Sequence, residues 1–578
     1  MNEDPLYTKW GEKIYNMGIL EDYPRPQMKR GSWLCLNGPW DYAIDREPHP
    51  PEKWQGKILV PFSPEAPLSG VNRQLQPDEF LHYKVRFSVP AEYLQGRLLL
   101  HFDAVDQRCT VRIGGEVVGT HTGGYLPFAF DITGRAKAED NILTVDVRDE
   151  SEDSEHARGK QMLDRGGIWY TAQSGIWGTV WLEPVPREYV HSFRVTPLFD
   201  ESAVSFSFDT GGVKLPCSVA VSDGKKKYEG AFSSDETGRI ALPDFRAWSP
   251  EDPFLYSVSI KAGKDEFTSY FGMRKFSVER ADDGYMRLFL NGKPYFHTGV
   301  LDQGYWSDGL YTAPSDDAMV ADISEMKRLG FNTLRKHMKI EPLRWYYHCD
   351  RLGMLVWQDM PCGGGKYRFS VTAALPNIGL RRLGDGNYRL FGRESQKGRA
   401  EFIHNMEGTV SLLYNCVSVA LWTVFNEGWG QFDSAAMALR LQKLDGTRTI
   451  DPASGWHDQG GGEVLSLHTY FHKVRVPRDS RAVLLSEFGG YALHVEGHCV
   501  NDEDYGYKKC RSFESLCADV AKLYRREIIP SVEKGLAAAI YTQLSDVEDE
   551  QNGLLTYDRR ICKLPPHLMR ELNAKLTK

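Results

Sequence analysis

From about Tyr285 onward, short apolar runs alternate with amphipathic stretches, and this alternation is the feature that most restricts the fold. FNTLRKH follows the amphipathic stretch DDAMVADISEMKRLG, and MLVWQDM follows EPLRWYYHCDRLG. Strands that alternate with helices form parallel sheets, because a parallel pair needs a long crossover connection. Eight strand candidates occur over about 300 residues, which is the number and length of a (β/α)8 TIM barrel. They are LFLNGKPYFHTGV, FNTLRKH, MLVWQDM, SVALWTVFNE, RTIDPASG, VLSLHTY, AVLLSEFG and AAAIYTQLSD.

The chain before this region has the pattern of β-structure. LHYKVRFSVP alternates polar and apolar residues, and NILTVDVRD and SGIWGTVWLEPV continue short strands to about Pro186. Strands at this spacing predict a two-sheet β-sandwich over residues 1–186. Residues 187–278 contain further alternating runs and have the length of an immunoglobulin-like β-sandwich. The predicted fold class is therefore a multidomain β plus α/β protein, with the barrel over residues 279–578.

Composition excludes several function classes. The 578 residues carry a net charge of −8, so no basic surface indicates nucleic acid or an anionic membrane as a partner. No apolar run reaches about 18 residues, and the stretch MNEDPLYTKWGEKIYNMG has no apolar core of the length of a secretory signal. The ten cysteines are scattered without CxxC pairs, which is typical of reduced thiols. These features predict a cytoplasmic protein that does not cross a membrane.

Two of the predicted barrel strands end on a glutamate. LWTVFNEGWG ends its apolar run on Asn426 and Glu427, and AVLLSEFGGY ends on Ser486 and Glu487. In a barrel, polar residues at the carboxyl ends of strands face the open end where active sites lie. Two facing carboxyl groups are the pair that glycoside hydrolysis requires, one as proton donor and the other as nucleophile or base. A glutamate at a strand end is often only a solvated or salt-bridged residue, but two such residues at matching positions favour the catalytic interpretation.

These residues also carry a resemblance to a known family. NCVSVALWTVFNEG followed by LLSEFGGY looks like the catalytic core of glycoside hydrolase family 2, which contains β-galactosidases and β-glucuronidases of clan A. FNTLRKHMKIEPLRWYYHCDRLGMLVWQDMP is similar to the family's second and third barrel strands. CLNGPWDYAI and SGIWGTVWLEPV resemble the opening and the close of its sugar-binding sandwich, a jelly roll. The resemblance covers nearly the whole chain and implies a jelly roll, an immunoglobulin-like domain and a barrel.

The resemblance implies roles for five residues. Glu427 would be the acid/base and Glu487 the nucleophile of a retaining mechanism, and Asn426 would bind the sugar 2-hydroxyl. Arg335 resembles the arginine beside the nucleophile, and Tyr470 lies where family members place a tyrosine against it. A salt bridge and a packed ring are the purely structural interpretations of Arg335 and Tyr470.

Further residues at or near strand ends are candidates for binding sugar hydroxyls or for forming an apolar platform. They are Asp302, His337, Asp359, Trp456, His457, His468 and Gln543. RGGIWYTAQSGIW matches a sandwich loop that reaches the barrel mouth in the family, so Trp169 or Tyr170 is expected to help close the pocket.

The chain departs from the family pattern at three places. Asp302-Gln303 stands after the first barrel strand, where relatives have a basic or His-Glu pair, and Tyr541 and Gln543 stand where many have a tryptophan. The Asn-x-Lys element with which glucuronidases grip the sugar carboxylate has no lysine here. Asp546, Glu548, Asp549 and Glu550 crowd into this segment instead and would repel a uronate, unless an arginine such as Arg559 folds back over the site.

The sequence thus predicts a retaining exo-glycosidase with a small carbohydrate substrate, and β-galactosides are the leading expectation. β-Glucosides, β-mannosides, α-L-arabinofuranosides and, less favoured, β-glucuronides are the alternatives, and a non-catalytic carbohydrate-binding protein is the rival from another class. No HExxH, GxGxxG or P-loop pattern indicates a metal or a nucleotide, so no cofactor is expected. A homo-oligomer is left open.

Overall fold

The computed structural model of the protein describes residues 5–14, 18–501 and 505–577. Eight parallel strands form a barrel in the C-terminal half, hydrogen-bonded in the order 5-4-3-2-1-8-7-6. Strands 5 and 6, at the two ends of that order, are linked by the 3.0 Å contact between Ser454 Oγ and His468 Nε2. The barrel strands, named β1 to β8 in chain order, are His297–Asp302, Thr333–Lys336, Leu355–Asp359, Val419–Asn426, Thr449–Ser454, Val464–Thr469, Ala482–Gly489 and Leu536–Thr542. The predicted barrel is confirmed.

The barrel closes because its strands are apolar on both faces. Every residue of β4 and of β7 is buried, as expected for a strand between an inner core and an outer helix layer. Inside the barrel, Leu301, Trp357, Leu421 and Leu484 form one cluster, to which Leu288 adds from outside the barrel. Leu288 belongs to a three-stranded sheet of Phe276–Arg280, Met286–Leu290 and Lys293–Pro294.

Helices cover the outside of the barrel. Asp316–Arg328 is a typical example, because Ser315 caps its first turn by accepting from Ala318 N and acidic residues follow the cap. Within the described residues, the other α-helices are Leu343–Leu352, Leu375–Asn377, Gln396–Leu413, Ser434–Leu444, Phe513–Leu523, Ile529–Val532 and Pro566–Ala574. Two π-helical segments are Ser370–Ala374 and Tyr524–Ile528, and the 3-10 segments are Gly11–Lys13, Pro26–Met28, Pro67–Ser69, Ala91–Leu94, Ser151–Asp153 and Phe199–Glu201.

The N-terminal region is a β-sandwich of a four-stranded and a six-stranded antiparallel sheet. The first sheet contains, in spatial order, Leu34–Cys35, Val180–Val185, Arg97–Phe102 and Phe128–Asp131. The second contains Gly56–Val60, Gly38–Asp45, Phe80–Phe87, Asn141–Arg148, Arg108–Ile113 and Glu116–Thr122. Short pairs join Val105–Asp106 to Gly175–Ile176, Gln161–Met162 to Tyr170–Thr171, and Tyr491–Ala492 to Lys508–Lys509. Trp40, Tyr83 and Leu100 belong to the core between its sheets.

A second sandwich follows, with a three-stranded and a four-stranded sheet. Its strands are Ser192–Leu198, Ala203–Asp209 and Gly238–Ala241, and then Lys227–Ser233, Pro216–Ser222, Tyr256–Ala262 and Asp265–Phe271. Tyr256–Ala262 alternates strictly between buried and exposed residues, as a strand with one face in a core does. The predicted sandwich–sandwich–barrel fold class is confirmed, while the domain boundaries at 186 and 278 stay predictions.

All ten cysteines lie in the described residues and are free thiols. Within residues 5–14, 18–501 and 505–577, no helix has both the length and the apolar composition needed to cross a bilayer.

Candidate active site

Glu427 and Glu487 lie at the carboxyl ends of β4 and β7, at points where the strands depart from regular geometry. Glu427 has φ 48°, in the left-handed region that residues with a side chain rarely adopt. Its backbone N–H donates to Ser454 O at 3.0 Å, which fixes this turn against β5. In β7 the pairing register with β8 shifts between Leu485 and Phe488, the segment that contains Glu487. Such irregularities re-aim side chains at the rims of barrels.

His468 lies between the two glutamates. One oxygen of Glu427, one oxygen of Glu487 and a ring nitrogen of His468 all lie within 4.8 Å of one another. Nδ1 of His468 is 2.8 Å from Glu427 Oε1, and Nε2 is 3.5 Å from Glu487 Oε1 and 3.0 Å from Ser454 Oγ. The register of β6 against β7 shifts between Leu467 and His468, which places the ring here.

These three side chains offer ligand atoms of the kind that bind a divalent cation. A metal would take one ring nitrogen of His468, whereas here each nitrogen faces a different glutamate. The 2.8 Å contact between His468 Nδ1 and Glu427 Oε1 is a normal hydrogen-bond distance. The contacts of the trio are therefore those of a hydrogen-bonded group.

Arg335, at the end of β2, is fully buried and connects the site. Its Nη1 donates to Glu487 Oε1 at 2.9 Å and to Ser486 O at 3.0 Å. Nη2 donates to Asn426 Oδ1 at 2.7 Å, and Nε donates to Asp359 Oδ1 at 3.1 Å. The planar fork of an arginine suits such multiple fixed contacts, which a lysine could not reproduce.

The two glutamates occupy opposite electrostatic environments. Burial acts to raise the pKa of both carboxyls. For Glu487, His468 and then Arg335 outweigh burial and lower the pKa to about 2. For Glu427, burial prevails over the hydrogen bond from His468, and the pKa lies above its ordinary value. Glu487 is thus the carboxyl whose ionised form is favoured, and Glu427 is the carboxyl whose protonated form is favoured relative to an ordinary glutamate.

Tyr470 and Asn426 complete the surroundings of the pair. The Tyr470 hydroxyl donates to Glu487 Oε2 and lies 3.1 Å from Thr542 Oγ1. Its ring stacks on Tyr507 with centroids 3.5 Å apart. Asn426 has its Oδ1 held by Arg335, while its buried Nδ2 has no hydrogen-bond partner among the described residues. A donor oriented in this way is available to a ligand.

Asp359 and His337, both predicted from the sequence, are connected to Arg335 by hydrogen bonds, and Trp456 packs against His468. Asp359 accepts from Arg335 and lies 2.7 Å from His337 Nδ1 through its other oxygen. Arg335 and His337 outweigh burial and lower the pKa of Asp359, whereas burial lowers that of His337. The rings of Trp456 and His468 make a T-shaped contact with centroids 5.3 Å apart, and Trp456 Nε1 donates to Thr372 O at 3.1 Å.

The structure does not bring Asp302, His457 or Arg559 to the glutamates. Asp302 accepts from Lys336 at 2.6 Å, and Lys336 also lies over Trp345 of the helix layer. Since side chains alternate along a strand, Lys336 points away from the interior that Arg335 faces. His457 is bound to Val371 O at 2.9 Å and anchors the loop after β3. Arg559 donates to Tyr305 O at 2.7 Å and does not fold back over the site.

The carboxyl groups of the acidic segment after β8 accept hydrogen bonds, most of them from distant parts of the chain. Asp546 accepts from Lys563 at 2.7 Å, Glu548 from Thr171 Oγ1 at 2.6 Å, and Asp549 from Arg165 at 2.7 Å. Glu550 accepts from the Tyr170 hydroxyl and from Asn552 Nδ2, the latter at 2.9 Å. Gln543 donates to Asn552 Oδ1 at 2.9 Å, and its buried Oε1 has no partner within the described part of the chain.

The sandwich loop contributes residues to the site, including one that the sequence did not reveal. Trp169 packs against Trp429, two residues after Glu427, with ring centroids 5.1 Å apart. Buried Lys160 lies 3.5 Å from the Tyr170 hydroxyl and 5.8 Å from the centroid of Trp429. Trp429 stands inside the strand-end motif and could have been found there, whereas no spacing in the sequence marks Lys160.

Three family models match the chain, and they follow the order of the first sandwich, the second sandwich and the barrel. Residues 67–174 match the galactose-binding domain-like model of glycosyl hydrolase 2, residues 188–274 the model of glycosyl hydrolases family 2, and residues 283–481 the family 2 TIM barrel domain.

Curated relatives agree with the family. A β-galactosidase of Thermoanaerobacter pseudethanolicus is 26% identical over 54% of this chain and 42% of its own length. A putative β-glucuronidase of Formosa agariphila is 27% identical over 46% of this chain and 33% of its own length. The matched regions therefore span less than half of these relatives.

Solved structures share the fold over almost the entire chain. A β-D-glucuronidase of Dictyoglomus thermophilum superposes with a TM-score of 0.74 at 18% identity, covering 96% of this chain and 99% of that one. A β-galacturonidase of Eisenbergiella tayi gives 0.69 at 18% identity, covering 96% and 99%. At this identity the likeness concerns the fold alone. Taken with the three matching models, which follow one another along most of the sequence, it places the chain in glycoside hydrolase family 2.

Proposed function

We propose that the protein is a retaining exo-glycosidase that hydrolyses terminal glycosidic bonds through a covalent glycosyl-enzyme intermediate. The observation that carries the proposal is the pair of Glu427 and Glu487, with oxygens within 4.8 Å of each other and pKa values displaced in opposite directions. Carboxyl groups about 5–5.5 Å apart suit double displacement, whereas inverting enzymes need about 6.5–9.5 Å to admit a water molecule.

In the first step, Glu487 attacks the anomeric carbon and the bond to the leaving group breaks. Glu427 gives its proton to the departing oxygen, so the leaving group departs as a neutral alcohol and Glu427 becomes a carboxylate. In the second step, Glu427 takes a proton from water, and the resulting hydroxide displaces Glu487 from the anomeric carbon. Each carboxyl group returns to its initial state, and the configuration of the sugar is retained.

The neighbouring side chains support this division of roles. Arg335 and Tyr470 each bind one oxygen of Glu487, which keeps the nucleophile ionised and fixes its orientation. The side-chain N–H group of Asn426 has no partner among the described residues and is assigned to the sugar 2-hydroxyl, a contact that strengthens as the transition state forms. His468 binds Glu427 from the side of β6 and holds it in place.

For the sugar, a terminal β-galactoside remains the first candidate, and several curated relatives are named β-galactosidases. The acidic segment after β8 no longer argues against a uronide by its charge alone, because Asp546, Glu548 and Asp549 have partners. β-Glucosides, β-mannosides, α-L-arabinofuranosides and β-glucuronides stay as alternatives.

The test is a panel of nitrophenyl glycosides with β-galactoside, β-glucoside, β-mannoside, β-glucuronide and α-L-arabinofuranoside. Nitrophenol release from at least one member, abolished in Glu487→Gln, is the expected result. Proton NMR of the first product formed gives its anomeric configuration, which we expect to equal that of the substrate. Release of the opposite anomer contradicts double displacement, and undiminished turnover by Glu487→Gln contradicts the assignment of the nucleophile.

A further inference from the structure

The hydroxyl of Tyr170, from the sandwich loop, joins a carboxylate and an ammonium group beside the glutamate pair. It donates to Glu550 Oε2, and Lys160 Nζ lies 3.5 Å from it. Lys160 is 6% exposed, lies over the Tyr170 ring at 5.0 Å, and has no Asp or Glu oxygen of the described residues within 4.0 Å. A buried ammonium group without a carboxylate partner is unusual, because burial of a charge is costly unless it is paired.

This group adjoins the proposed catalytic residues on two sides. Lys160 lies 5.8 Å from the ring centroid of Trp429, on the Glu427 side. On the Glu487 side, Thr542 contacts the Tyr470 hydroxyl at 3.1 Å, and Gln543 follows it directly. The sandwich loop therefore brings Lys160 and Tyr170 to the segment after β8 that carries Gln543 and Glu550.

The polar atoms here are mostly acceptors. Both oxygens of Glu550 accept hydrogen bonds, from Tyr170 and from Asn552, so the side chain acts as an acceptor throughout. Gln543 Oε1 is a second acceptor, buried and without a partner among the described residues. Lys160 is the donor next to them. A hydroxyl both donates and accepts and can satisfy this arrangement, whereas a carboxylate only accepts and would face two further acceptors.

We infer that Lys160, Gln543 and Glu550 form a subsite that binds a hydroxyl of the terminal sugar and rejects a sugar carboxylate. The inference rests on the proposed function and refines its substrate class to neutral hexosides rather than hexuronosides. Lys160 donates a hydrogen bond to the hydroxyl oxygen, and the hydroxyl donates its own hydrogen bond to Glu550 or Gln543. Tyr170 contacts both Glu550 and Lys160 and fixes their relative positions, and it is not itself assigned to the sugar.

Paired substrates test the subsite directly. Nitrophenyl β-D-galactoside and β-D-galacturonide differ only in a hydroxymethyl group against a carboxylate, as do the β-D-glucoside and β-D-glucuronide. We expect kcat/KM for the neutral member of the preferred pair to exceed that for its uronide by at least about 100-fold, because a site built for a hydroxyl strongly disfavours an analogue without it.

Two variants separate the local effect from total charge. Glu550→Gln keeps the size and one acceptor oxygen but removes the negative charge, and the uronide-to-neutral ratio of kcat/KM is expected to rise by at least about 10-fold. Asp549→Asn is the matched control, since it removes the same charge from the adjacent residue, whose carboxylate binds Arg165 and Asn501. We expect Asp549→Asn to leave the ratio within about twofold of wild type, with Tm of both variants as the check on folding.

Binding of the free sugars provides a measurement that does not depend on turnover. Isothermal titration of the wild-type protein with galactose, galacturonate, glucose and glucuronate is expected to show tighter binding of a neutral sugar than of its uronate. Faster hydrolysis of the uronide, or tighter binding of the uronate, than of the neutral sugar overturns the subsite. An equal shift of the uronide-to-neutral ratio of kcat/KM in Glu550→Gln and Asp549→Asn also overturns it. So does a wild-type protein that binds none of the four sugars. Neutral-sugar binding without turnover of any glycoside instead contradicts the proposed function and leaves the subsite standing.

Discussion

Replacing Glu427 with alanine is expected to yield an enzyme that still forms the glycosyl-enzyme bond when the leaving group needs no protonation. Glu487 keeps its contacts with Arg335 and Tyr470 in this variant, so the nucleophile remains intact. Loss of a general acid typically costs about 10²–10⁴-fold in rate. We expect a loss of this size for a methyl glycoside and a much smaller first-step loss for a dinitrophenyl glycoside. The glycosyl-enzyme intermediate then accumulates, because the variant lacks the general base that activates water. A nucleophile that needs no general base, such as azide, is expected to react with it.

The structure gives the direction of the bias between the two carboxyl groups. The pKa of Glu487 falls from 4.5 to about 2, while that of Glu427 lies above 4.5. The form with its proton on Glu427 is therefore favoured over the reverse form, which agrees with Glu427 as the acid and Glu487 as the nucleophile.

Azide distinguishes the two roles by the configuration of its product. In Glu427→Ala, azide enters from the face that the acid/base vacates and attacks the glycosyl-enzyme, so a β-glycoside gives a β-glycosyl azide after two inversions. In Glu487→Ala, azide replaces the nucleophile and gives an α-glycosyl azide after one inversion. Proton NMR of the azide products from the dinitrophenyl glycoside of the best sugar reports the anomer. An α-azide from Glu427→Ala together with a β-azide from Glu487→Ala would refute the assignment of roles derived from the contacts of Arg335.

Three further predictions follow from the same contacts. The raised pKa of Glu427 keeps its acid form present above its ordinary range, so kcat/KM is expected to fall as pH rises through that pKa, and Glu427→Gln should lose this limb of the profile. His468→Gln removes the imidazole whose hydrogen bond lowers the pKa of Glu427, so we expect the fall of kcat/KM to occur at higher pH than in wild type. An unchanged pH profile would contradict this effect of His468 on Glu427. Arg335→Gln leaves the carboxylates of Glu487 and Asp359 buried without their guanidinium partner. We expect urea denaturation to show a free energy of unfolding lower by about 3–5 kcal/mol than that of wild type. Because the folded-state pKa of Glu487 is depressed to about 2, this destabilisation should have its full size above about pH 4.5 and should shrink as pH falls. A destabilisation that does not change with pH would contradict the ion pair between Arg335 and Glu487.

The strands of the barrel could be predicted because their apolar runs are short and end on polar residues. AVLLSEFG coincides with β7 at Ala482–Gly489, and the other seven runs also overlap barrel strands. The barrel topology then brings the carboxyl ends of β4 and β7 to one mouth without further information. Arg335, Asp359 and Asn426 meet there for the same reason.

What the sequence could not supply was which face each polar residue takes and which distant residue meets it. Asp302 and Arg335 both stand at strand ends, yet Asp302 pairs with Lys336 on the helix side. His468 reaches Glu427 only because the register of β6 shifts at Leu467. The partners of the acidic segment, such as Arg165 and Tyr170, come from a loop almost 400 residues earlier, and no local pattern encodes such contacts.

The division of labour between the two folded parts has a mechanistic consequence. The two carboxyls that we propose to react, and the residues that bind them, Arg335 and Tyr470, all stand on barrel strands or directly after them, where packing on both faces holds side chains rigidly. The residues assigned to sugar selection are split between the loop after β8 and the sandwich loop that carries Lys160 and Tyr170. On this proposal, a change in either loop is expected to alter which sugar fits while the distance between Glu427 and Glu487 is preserved. The contacts of Lys160 and Glu550 would then determine the sugar, and the two glutamates would determine the reaction.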